Sequence, residues 1–447
     1  MWRPNLWPRN ARQLQRLFDL GFWWRTADAI PDNVKCTSSD IRAYLLESRR
    51  TVIHIAVPLS SGCQVRILSI DFSIPYLLKD DDYPIGGWAV QLSIWLRALE
   101  NAGHEAALLT WKGALAHVGS GQQIKLIETY DPAHGVRVAK YFYSYIPKIL
   151  AAARAYHPDI MIQGVCGVNT AIMAFVAGQL GIPFVHRVVS DMNVDERCKA
   201  ALRFDEWLAY SWARHRAAAF LCQNEYQREK LAALFPGKPI HVLHNAVVVA
   251  EDAPAPLPRA ERRYVAWLGV FRNFKNLPLL FRIAQELPAV KFRVAGMPER
   301  DVDQSTLDAV NGLRHLPNVE LVGYVRRADV QQFLSEATML LSTSDFEGFS
   351  NVFLEALAVG TPVVTRRQVD PDSIVMRHTL GASAEDELTL SQSVRAFWDM
   401  DANEYNALAR RCQIYVKANH SPTAKARELI AALTPLVAKS KRPGQPV

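Results

Sequence analysis

Residues 339–365 read MLLSTSDFEGFSNVFLEALAVGTPVVT, and this stretch indicates the fold of the chain. An apolar run at 339–341 leads through a polar loop into a helical segment at 351–359, and a second apolar run follows at 363–365. A strand, a helix and a second strand in this order form a βαβ unit, whose strands lie parallel in one sheet. Similar units recur from residue 65 onward. The sequence therefore predicts an α/β protein with doubly wound parallel sheets.

A proline-rich segment separates two series of these units. Residues 249–262 contain three prolines and no sustained apolar run, which is typical of a linker. We therefore expect one Rossmann-like domain at residues 65–248 and a second at residues 263–420. Ligands of such sheets bind beyond the carboxyl ends of the strands, so we expect the functional site in a cleft between the two domains.

The composition is that of an ordinary globular protein. The chain has 447 residues, of which 49% are hydrophobic and 21% charged, and this balance excludes disordered, collagen-like and coiled-coil classes. Such a length fits about two to four domains. The formal net charge of +7 comes without any run of five or more basic residues, so the sequence gives little support for a nucleic-acid partner.

Residues 1–64 differ from the rest of the chain. They carry nine basic and five acidic residues together with four of the eleven tryptophans, Trp2, Trp7, Trp23 and Trp24. Tryptophan and arginine together fit an interfacial membrane anchor. The other interpretation, which we prefer, is a poorly ordered N-terminal extension, because the segment has little sustained periodicity.

Cysteine usage and hydropathy bear on the compartment. The six cysteines are scattered, without a Cys-x-x-Cys pair or the spacing of a zinc site, and free thiols fit a reducing compartment. The sequence shows no uncharged apolar stretch of about 18 residues and no signal-peptide order at its N-terminus. We therefore expect a cytoplasmic protein, with weak peripheral association at the inner face of the membrane as a further expectation.

The loop between the strand and the helix of the opening stretch has the features of an anion site. Gly348 permits close approach of backbone N–H groups to a ligand, and Ser350 or Asn351 can cap the helix that follows. Free N–H groups at a helix N-terminus bind anions, most often phosphate. Glu355 is the only ionisable residue of the apolar helix, so its carboxylate needs a partner, either another side chain or ligand hydroxyls.

These residues resemble the E-x7-E signature of the group 1 (family 4) glycosyltransferases, with Glu347 and Glu355 as the two acids and Gly360-Thr361-Pro362 behind them. The resemblance implies the GT-B fold, in which two Rossmann-like domains face a cleft. It also implies that Glu355 binds the ribose of a nucleotide sugar and that Glu347 lies beside the transferred sugar. The diphosphate would be held by the loop residues Gly348, Phe349, Ser350 and Asn351.

A second segment, VAWLGVFRNFKN at residues 265–276, resembles the same family. Gly269 ends a strand, and Lys275 stands at the family's spacing from it. The family's arginine directly follows this glycine, but Val270 does so here and Arg272 comes two residues later. The resemblance implies that Lys275 and Arg272 grip the diphosphate and stabilise the charge that it gains as the sugar leaves.

The N-terminal half carries two weaker matches. Gly86 and Gly87, before a helical segment, resemble the family's first glycine loop, which would lie under the donor phosphates and the acceptor. Residues 243–247, LHNAV, resemble the family's strand-end Asn-Gly-Val, with Ala246 in place of glycine. We interpret Asn245 as structural or hinge-lining rather than catalytic.

One residue of the family pattern is missing. Many members carry a histidine after the fifth strand, near the reacting carbon of the sugar, and the corresponding position here is close to Val189. Asp191 follows the same strand and is our candidate for the substitute, since polar site groups belong at the carboxyl ends of strands. His186 lies within the apolar run and is interpreted as a core histidine.

The resemblance implies a retaining hexosyltransferase that needs no metal or cofactor and moves a sugar from a nucleoside diphosphate sugar to a glycan or lipid-linked acceptor. The setting would be cell-surface polysaccharide synthesis. The terminal segment 421–447 would hold a helix that crosses back to the N-terminal domain, followed by a tail. Two alternatives stay open: a non-catalytic binding or scaffold protein of this fold, and a nucleotide-sugar epimerase. Asp80, Asp81 and Asp82 are interpreted as a solvated loop.

Overall fold

The computed structural model describes residues 64–79, 86–118, 123–131, 144–249, 254–299 and 302–440. Three interpretations fall largely or wholly outside these ranges: the extension that ends at residue 64, the acidic loop at 80–82 and the tail after residue 440. Within the described residues, the chain forms two β-sheets, each packed between apolar clusters on its two faces.

The described residues contain thirteen strands: β1 (Arg66–Ile70), β2 (Glu105–Thr110), β3 (Lys125–Glu128), β4 (Ile160–Gln163), β5 (Phe184–Arg187), β6 (Ala219–Cys222), β7 (Ile240–Val242), β8 (Tyr264–Leu268), β9 (Phe292–Ala295), β10 (Val319–Gly323), β11 (Ala337–Leu341), β12 (Val363–Arg366) and β13 (Gly381–Ala384). The first sheet has the order β3-β2-β1-β4-β5-β6-β7, and the second has the order β10-β9-β8-β11-β12-β13. Their strand pairs are parallel. The strand order reverses between β1 and β4 and between β8 and β11, where ligands of such sheets bind.

Helices connect the strands. Those among the described residues are α1 (Ile74–Lys79), α2 (Gly87–Asn101), α3 (Ala114–His117), α4 (Ile146–Tyr156), α5 (Val168–Leu180), α6 (Glu196–Ala201), α7 (Phe204–Arg216), α8 (Glu225–Leu234), α9 (Leu277–Glu286), α10 (Gln304–His315), α11 (Val330–Ser335), α12 (Asn351–Ala358), α13 (Ile374–Arg377), α14 (Glu387–Trp398), α15 (Ala402–Asn419) and α16 (Pro422–Ser440). None of them combines the length and the apolar composition that a membrane-crossing segment needs.

The short apolar runs become strands because both faces of each sheet are covered. In β1, Ile67 packs into the cluster on one face and Leu68 into the cluster on the other. In β8, Val265 and Ala266 divide in the same way. A strand buried on both faces shows a continuous apolar run rather than an alternating pattern. The predicted fold class, two doubly wound parallel sheets, is confirmed.

Several elements differ from the sequence-based expectation, among them strand β13 and the short helices α1, α3 and α13, which were not predicted. The sequence of residues 196–216 predicts one helical stretch, but the structure has two helices there, because Leu202 and Arg203 adopt extended backbone between α6 and α7. Helix α10 was not predicted, although parallel strands β9 and β10 need a crossover between them. Its signals are present: the Asp303 carboxylate accepts the Thr306 N–H at the N-cap, and Val310 and Leu313 face the core.

The last helix contributes to the N-terminal core. Leu429, Leu433 and Val437 of α16 are buried in the cluster that also holds Trp95 and Leu99 of α2. The preceding helix α15 packs instead against α12 in the second domain. The chain therefore passes from the C-terminal domain to the N-terminal one between α15 and α16.

Candidate functional site

The site loop, residues 342–350, follows β11 and leads into α12. It is bound to the loop that follows β8, because Asp345 donates its backbone N–H to the Phe274 carbonyl oxygen at 2.7 Å. The Thr343 hydroxyl donates to the Lys275 carbonyl oxygen at 2.7 Å and accepts from the Trp267 indole at 3.0 Å. The two segments that resemble the glycosyltransferases therefore meet at the carboxyl edge of the second sheet.

Lys275 and Glu347 form an ion pair at this edge. The Lys275 ammonium donates to Glu347 Oε1, and the Ser344 hydroxyl donates to the same oxygen at 2.9 Å. The side chains of Lys275 and Glu347 are only 18% and 16% exposed, so the pair is shielded from solvent on most sides. A partly buried cation held beside a carboxylate can transfer to a stronger anion when one enters the cleft.

The backbone of the site loop presents unpaired donors. The N–H groups of Gly348, Phe349 and Ser350 donate no hydrogen bond to any described residue. Ser350 occupies the N-cap of α12 without a side-chain cap, and Asn351 is directed elsewhere, so the expectation that one of them caps the helix is wrong. Three free donors at a helix N-terminus form a favourable environment for an anion.

The carbonyl groups of the same loop contact the opposite domain. Asn224, at the start of α8, donates to the Gly348 carbonyl oxygen at 2.9 Å. Asn245, after β7, donates to the Phe349 carbonyl oxygen at 2.9 Å. The C=O and N–H of one trans peptide point in opposite directions. Holding these two carbonyls therefore aims the N–H groups of Phe349 and Ser350 away from Asn224 and Asn245.

Glu355 has a side-chain partner within the fold. Its carboxylate is 5% exposed and pairs with Arg327 at 2.6 Å, while the Arg327 side chain is 40% exposed. Arg327 follows β10, at the same edge of the sheet as the site loop. Of the two kinds of partner that the sequence required, the structure shows a side chain, and sequence reasoning did not identify which one.

Arg272 is separated from the Lys275 pair. Its guanidinium pairs with Glu299 at 2.7 Å, and both side chains are more than 40% exposed. Gly269 lies against Lys275, since a Cβ there would meet Lys275 Cε at an ordinary contact distance of 3.6 Å. The structure thus brings Lys275 to Glu347 and leaves Arg272 on the outer side of the loop.

Asp191 faces the site loop from the other domain. It lies in a short 3₁₀ turn after β5, where its Oδ1 accepts from Asn224 at 2.9 Å and from Gln227 at 2.8 Å. Burial raises the pKa of Asp191 to about 6, against the lowering effect of these two hydrogen bonds. Its Oδ2 has no hydrogen-bond partner among the described residues.

A cavity of about 370 Å³ joins these groups. Asp191, Asn224 and Tyr226 line it from the N-terminal domain, and Glu347 and Gly348 line it from the C-terminal domain. A larger cavity of about 720 Å³ runs along α11 and contains none of the predicted site residues. We assign the candidate site to the smaller cavity, because Asp191, Glu347 and Gly348 line it together.

His186 takes no part in this cavity. It is 1% exposed, with Nδ1 2.9 Å from the Gln163 carbonyl oxygen and Nε2 2.8 Å from the Tyr210 hydroxyl. Burial lowers the pKa of His186 to about 4, so its ring is neutral at physiological pH. It is a core histidine with both nitrogens hydrogen-bonded.

Gly86 and Gly87 bring the first glycine loop to the N-terminus of α12. Asn351 Nδ2 donates to the Gly87 carbonyl oxygen at 3.0 Å, and a Cβ at Gly87 would lie only 3.1 Å from that nitrogen. Gln91 of α2 reaches the same Asn351 side chain at 3.0 Å. Asn224 was not identified from the sequence, and its only local signal is its position as the N-cap of α8.

The described residues contain no group of three or more His, Cys, Asp or Glu side chains that could hold a metal ion. Arg197 lines the cavity as a cation, and Lys275 adds positive charge through its ion pair with the lining residue Glu347.

Residues 86–246 match the family described as "Glycosyl transferase 4-like domain", and residues 262–399 match "Glycosyl transferases group 1". The phosphatidylinositol N-acetylglucosaminyltransferase gpi3 subunit of Schizosaccharomyces pombe is 25% identical over 191 residues, which are 40% of this chain and 41% of that protein. The chain thus matches about two fifths of the length of this relative.

Solved structures share the fold. HepE of Anabaena, in complex with UDP-glucose, has a TM-score of 0.63 at 14% identity, over 83% of this chain and 100% of that chain. A putative UDP-N-acetylglucosamine 2-epimerase of Listeria monocytogenes has a TM-score of 0.54 at 13% identity, over 86% of this chain and 100% of that chain. Likeness at this identity shows the fold alone. The two family matches together cover about two thirds of the chain. The chain therefore belongs to the group 1 (family 4) glycosyltransferases and has the GT-B fold.

Proposed function

We propose that the chain transfers a sugar from a nucleoside diphosphate sugar to a glycan or lipid-linked acceptor. The observation that carries this proposal is the Lys275–Glu347 ion pair on the loop that also presents three free N–H groups. Glu347 and Gly348 of this loop line a cavity that Asp191 lines from the opposite domain. A diphosphate needs positive charge where it leaves, and the sugar needs hydrogen-bond acceptors beside it. The acceptors Asp191 and Glu347 line the cavity together with the cation Arg197, and Lys275 is paired with Glu347.

The donor would exchange partners with the resident ion pair. As the diphosphate enters, its oxygens bind the N–H groups of Phe349 and Ser350 and attract Lys275 from Glu347. Glu347 is then free to accept hydrogen bonds from the sugar hydroxyls. When the bond between the anomeric carbon and the phosphate oxygen breaks, the new negative charge develops beside Lys275, where it is stabilised most.

Asp191 is proposed to bind a hydroxyl of the sugar or the acceptor. Its Oδ1 is held by Asn224 and Gln227, and its Oδ2 is available to accept from a substrate hydroxyl. In this proposal, the Asp191 carboxylate takes the position where many members of the family have a histidine. Asp191 can contact a substrate because it lines the cavity, unlike a residue that only packs in the core.

Glu355 and the remaining predicted donor contacts complete the proposal. Glu355 would accept from the ribose hydroxyls through the carboxylate oxygen that Arg327 does not hold, while Gly269, Gly86 and Gly87 allow the backbone close to the phosphates. Arg272 would have to leave Glu299 to reach the same diphosphate, so we propose for it a smaller contribution than for Lys275.

Four further parts of the proposal rest on the family resemblance. They are retention of the anomeric configuration, a hexosyl donor, independence of metal ions, and a place in cell-surface polysaccharide synthesis. The cytoplasmic location and the weak peripheral contact with the inner face of a membrane belong to the same proposal. The similarity to HepE, which was solved with UDP-glucose, makes UDP-glucose the first donor to test.

The test has two stages. A thermal-shift screen of UDP, GDP, ADP and UDP-glucose identifies the nucleotide, since a ligand at 100 times its Kd stabilises the folded state by about 2.7 kcal/mol. Release of nucleoside diphosphate is then measured with and without a mixed glycan acceptor and with excess EDTA. Lys275→Ala and Glu347→Gln should lose most of the activity, whereas Arg282→Ala, which breaks an exposed ion pair with Glu387 that does not line the cavity, should not.

The outcomes separate the candidate functions. Acceptor-dependent release of the diphosphate supports transfer. A change of the sugar without acceptor and without net transfer supports the epimerase. If no nucleotide raises the unfolding midpoint, both enzyme proposals fail and a scaffold role is favoured.

A further inference from the structure

Arg187 is a buried cation without a carboxylate partner among the described residues. It ends β5 and is 1% exposed, yet its guanidinium contacts only neutral oxygens. Nη1 donates to the carbonyl oxygens of Cys222 and Leu243, each at 2.7 Å, and Nη2 donates to Asn245 Oδ1 at 2.9 Å. The Trp95 ring lies 5.0 Å from the guanidinium carbon. A buried charge of this kind is costly to retain for packing alone.

The guanidinium decides which way the Asn245 amide faces. Arginine donates hydrogen bonds and cannot accept them, so the amide oxygen of Asn245 must face Arg187. Gln223 Nε2 donates to the same oxygen at 3.2 Å. The amide nitrogen must then face the cleft, where it donates to the Phe349 carbonyl oxygen at 2.9 Å and to Asn351 Oδ1 at 2.8 Å. The reverse orientation would oppose donors to donors and acceptors to acceptors.

The orientation passes on to Asn351 in the other domain. Its Oδ1 accepts from Asn245 and from Gln91 Nε2, so its Nδ2 faces Gly87 and donates to that carbonyl oxygen. Gln91 is itself fixed, because it exchanges two hydrogen bonds of 2.8 Å with the backbone of Ala246. Starting from Arg187, every amide in this path has one possible orientation.

We propose that Arg187 is a positioning residue: through Asn245, it orients a relay of amide groups across the cleft and thereby fixes the site loop in the conformation that binds the diphosphate. Asn245 holds the Phe349 carbonyl, and this aims the Ser350 N–H in the opposite direction. The inference rests on the proposed function only in taking the ligand of the site loop to be a diphosphate. The relay itself is a property of the ligand-free chain.

The isosteric Asn245→Asp variant tests the polarity of the relay. The new carboxylate pairs with Arg187 and keeps that side of the network, so the unfolding midpoint should not fall. On the cleft side it places an acceptor against two acceptors, Phe349 O and Asn351 Oδ1. We expect the radius of gyration of the free protein to rise in small-angle scattering, and the Kd for inorganic pyrophosphate to rise by roughly tenfold or more, because two hydrogen bonds become repulsive.

Asn318→Asp is the matched control. Asn318 Nδ2 donates to three backbone carbonyl oxygens, those of Ala284, Leu287 and Val290, at 2.9 to 3.0 Å, all within the C-terminal domain. The same substitution there should lower the unfolding midpoint and leave the radius of gyration and the pyrophosphate Kd unchanged below that midpoint. A positioning role and a merely structural one are thereby separated.

Substitution of Arg187 provides the second arm. Arg187→Met should weaken pyrophosphate binding as Asn245→Asp does, and Arg187→Lys, which keeps a buried donor-only cation, should recover most of the affinity. If Arg187→Met does not fold, Asn245→Asp decides. The proposal is overturned if Asn245→Asp binds pyrophosphate within threefold of the unsubstituted chain, or if Asn318→Asp weakens binding equally. If the scattering change appears and no protein binds pyrophosphate, the relay stands and the diphosphate assignment fails.

Discussion

Gly348→Ala should drive the two domains apart at the site loop. Gly348 does not have a positive φ, so its absent side chain matters for space rather than for backbone freedom. A Cβ at this position would lie 2.0 Å from Gln223 Oε1 and 3.1 Å from Gln227 Nε2, where ordinary contact begins at 3.4 Å. Gln223 is 5% exposed and its Nε2 is bound to Asn245, so it has little room to withdraw.

The magnitude follows from this overlap. Forcing one extra methyl group into a packed site costs about 1–3 kcal/mol. If the cleft opens to relieve it, the same free energy is subtracted from binding of a ligand that needs the closed cleft. Since about 1.4 kcal/mol corresponds to a factor of ten, the Kd of the nucleoside diphosphate should rise by about 5- to 150-fold.

Calorimetric titration with the nucleotide found in the thermal-shift screen measures the effect. The double variant Gly348→Ala with Gln223→Ala removes the opposing oxygen and should recover the affinity to within about threefold, a coupling that two independent changes would not show. Gly178→Ala is the matched control, because a Cβ there, in the last turn of α5, meets nothing within 4 Å. It should stabilise the fold by about 0.5–1 kcal/mol without touching affinity. Unchanged binding in Gly348→Ala, or no recovery in the double variant, would refute this reasoning.

Three further substitutions and modifications are expected to give defined results. Asp191→Asn should lower transfer and, at pH values above 6, raise the thermal unfolding midpoint. Burial raises the Asp191 pKa to about 6 in the fold, so the stability that its proton contributes is complete below the unfolded pKa near 3.8 and is lost as the pH rises through 6. This loss should be absent when the unfolding of the variant is measured over the same pH series. Arg327→Gln should destabilise the chain by about 1–3 kcal/mol in urea titrations, because it leaves the buried Glu355 carboxylate unpaired. The loss should be smaller than for a fully buried pair, since the Arg327 side chain is 40% exposed. Cys166 should be alkylated before Cys198 when peptides are followed by mass spectrometry at neutral pH, because a hydrogen bond from the Cys198 thiol lowers the pKa of Cys166, whereas Cys198 is 2% exposed with a raised pKa.

Features that depend on residues close together in the sequence could be predicted, whereas contacts between distant residues could not. The strands β8 and β11 and the helix α12 are local: their apolar runs and the E-x7-E spacing are legible within about thirty residues. The partner of Glu355 could be predicted to exist, since a buried carboxylate must be neutralised. Its identity could not, because Arg327 lies 28 residues earlier on another loop and meets Glu355 only when β10 and β11 are placed in the sheet order.

Contacts across the cleft could not be predicted from the sequence. Asn224 and Asn245 lie on loops that sequence reasoning placed correctly at strand ends, but their partners are backbone carbonyls of the other domain. A backbone carbonyl carries no sequence signal. By contrast, helix α10 could have been found, since it has an aspartate N-cap and a periodic apolar face.

Contacts with the N-terminal domain change the interpretation of Gly348. On the sequence alone, Gly348 permits the loop backbone to approach a ligand. In the structure, the space that its missing Cβ leaves is taken by Gln223 of the opposite domain, and its carbonyl is taken by Asn224. The N-terminal domain therefore binds the acceptor side of the loop peptides and leaves their donor side free. A site that must attract a diphosphate needs this division, because an N–H group satisfied within the protein would have to break a hydrogen bond before it could make one to the ligand.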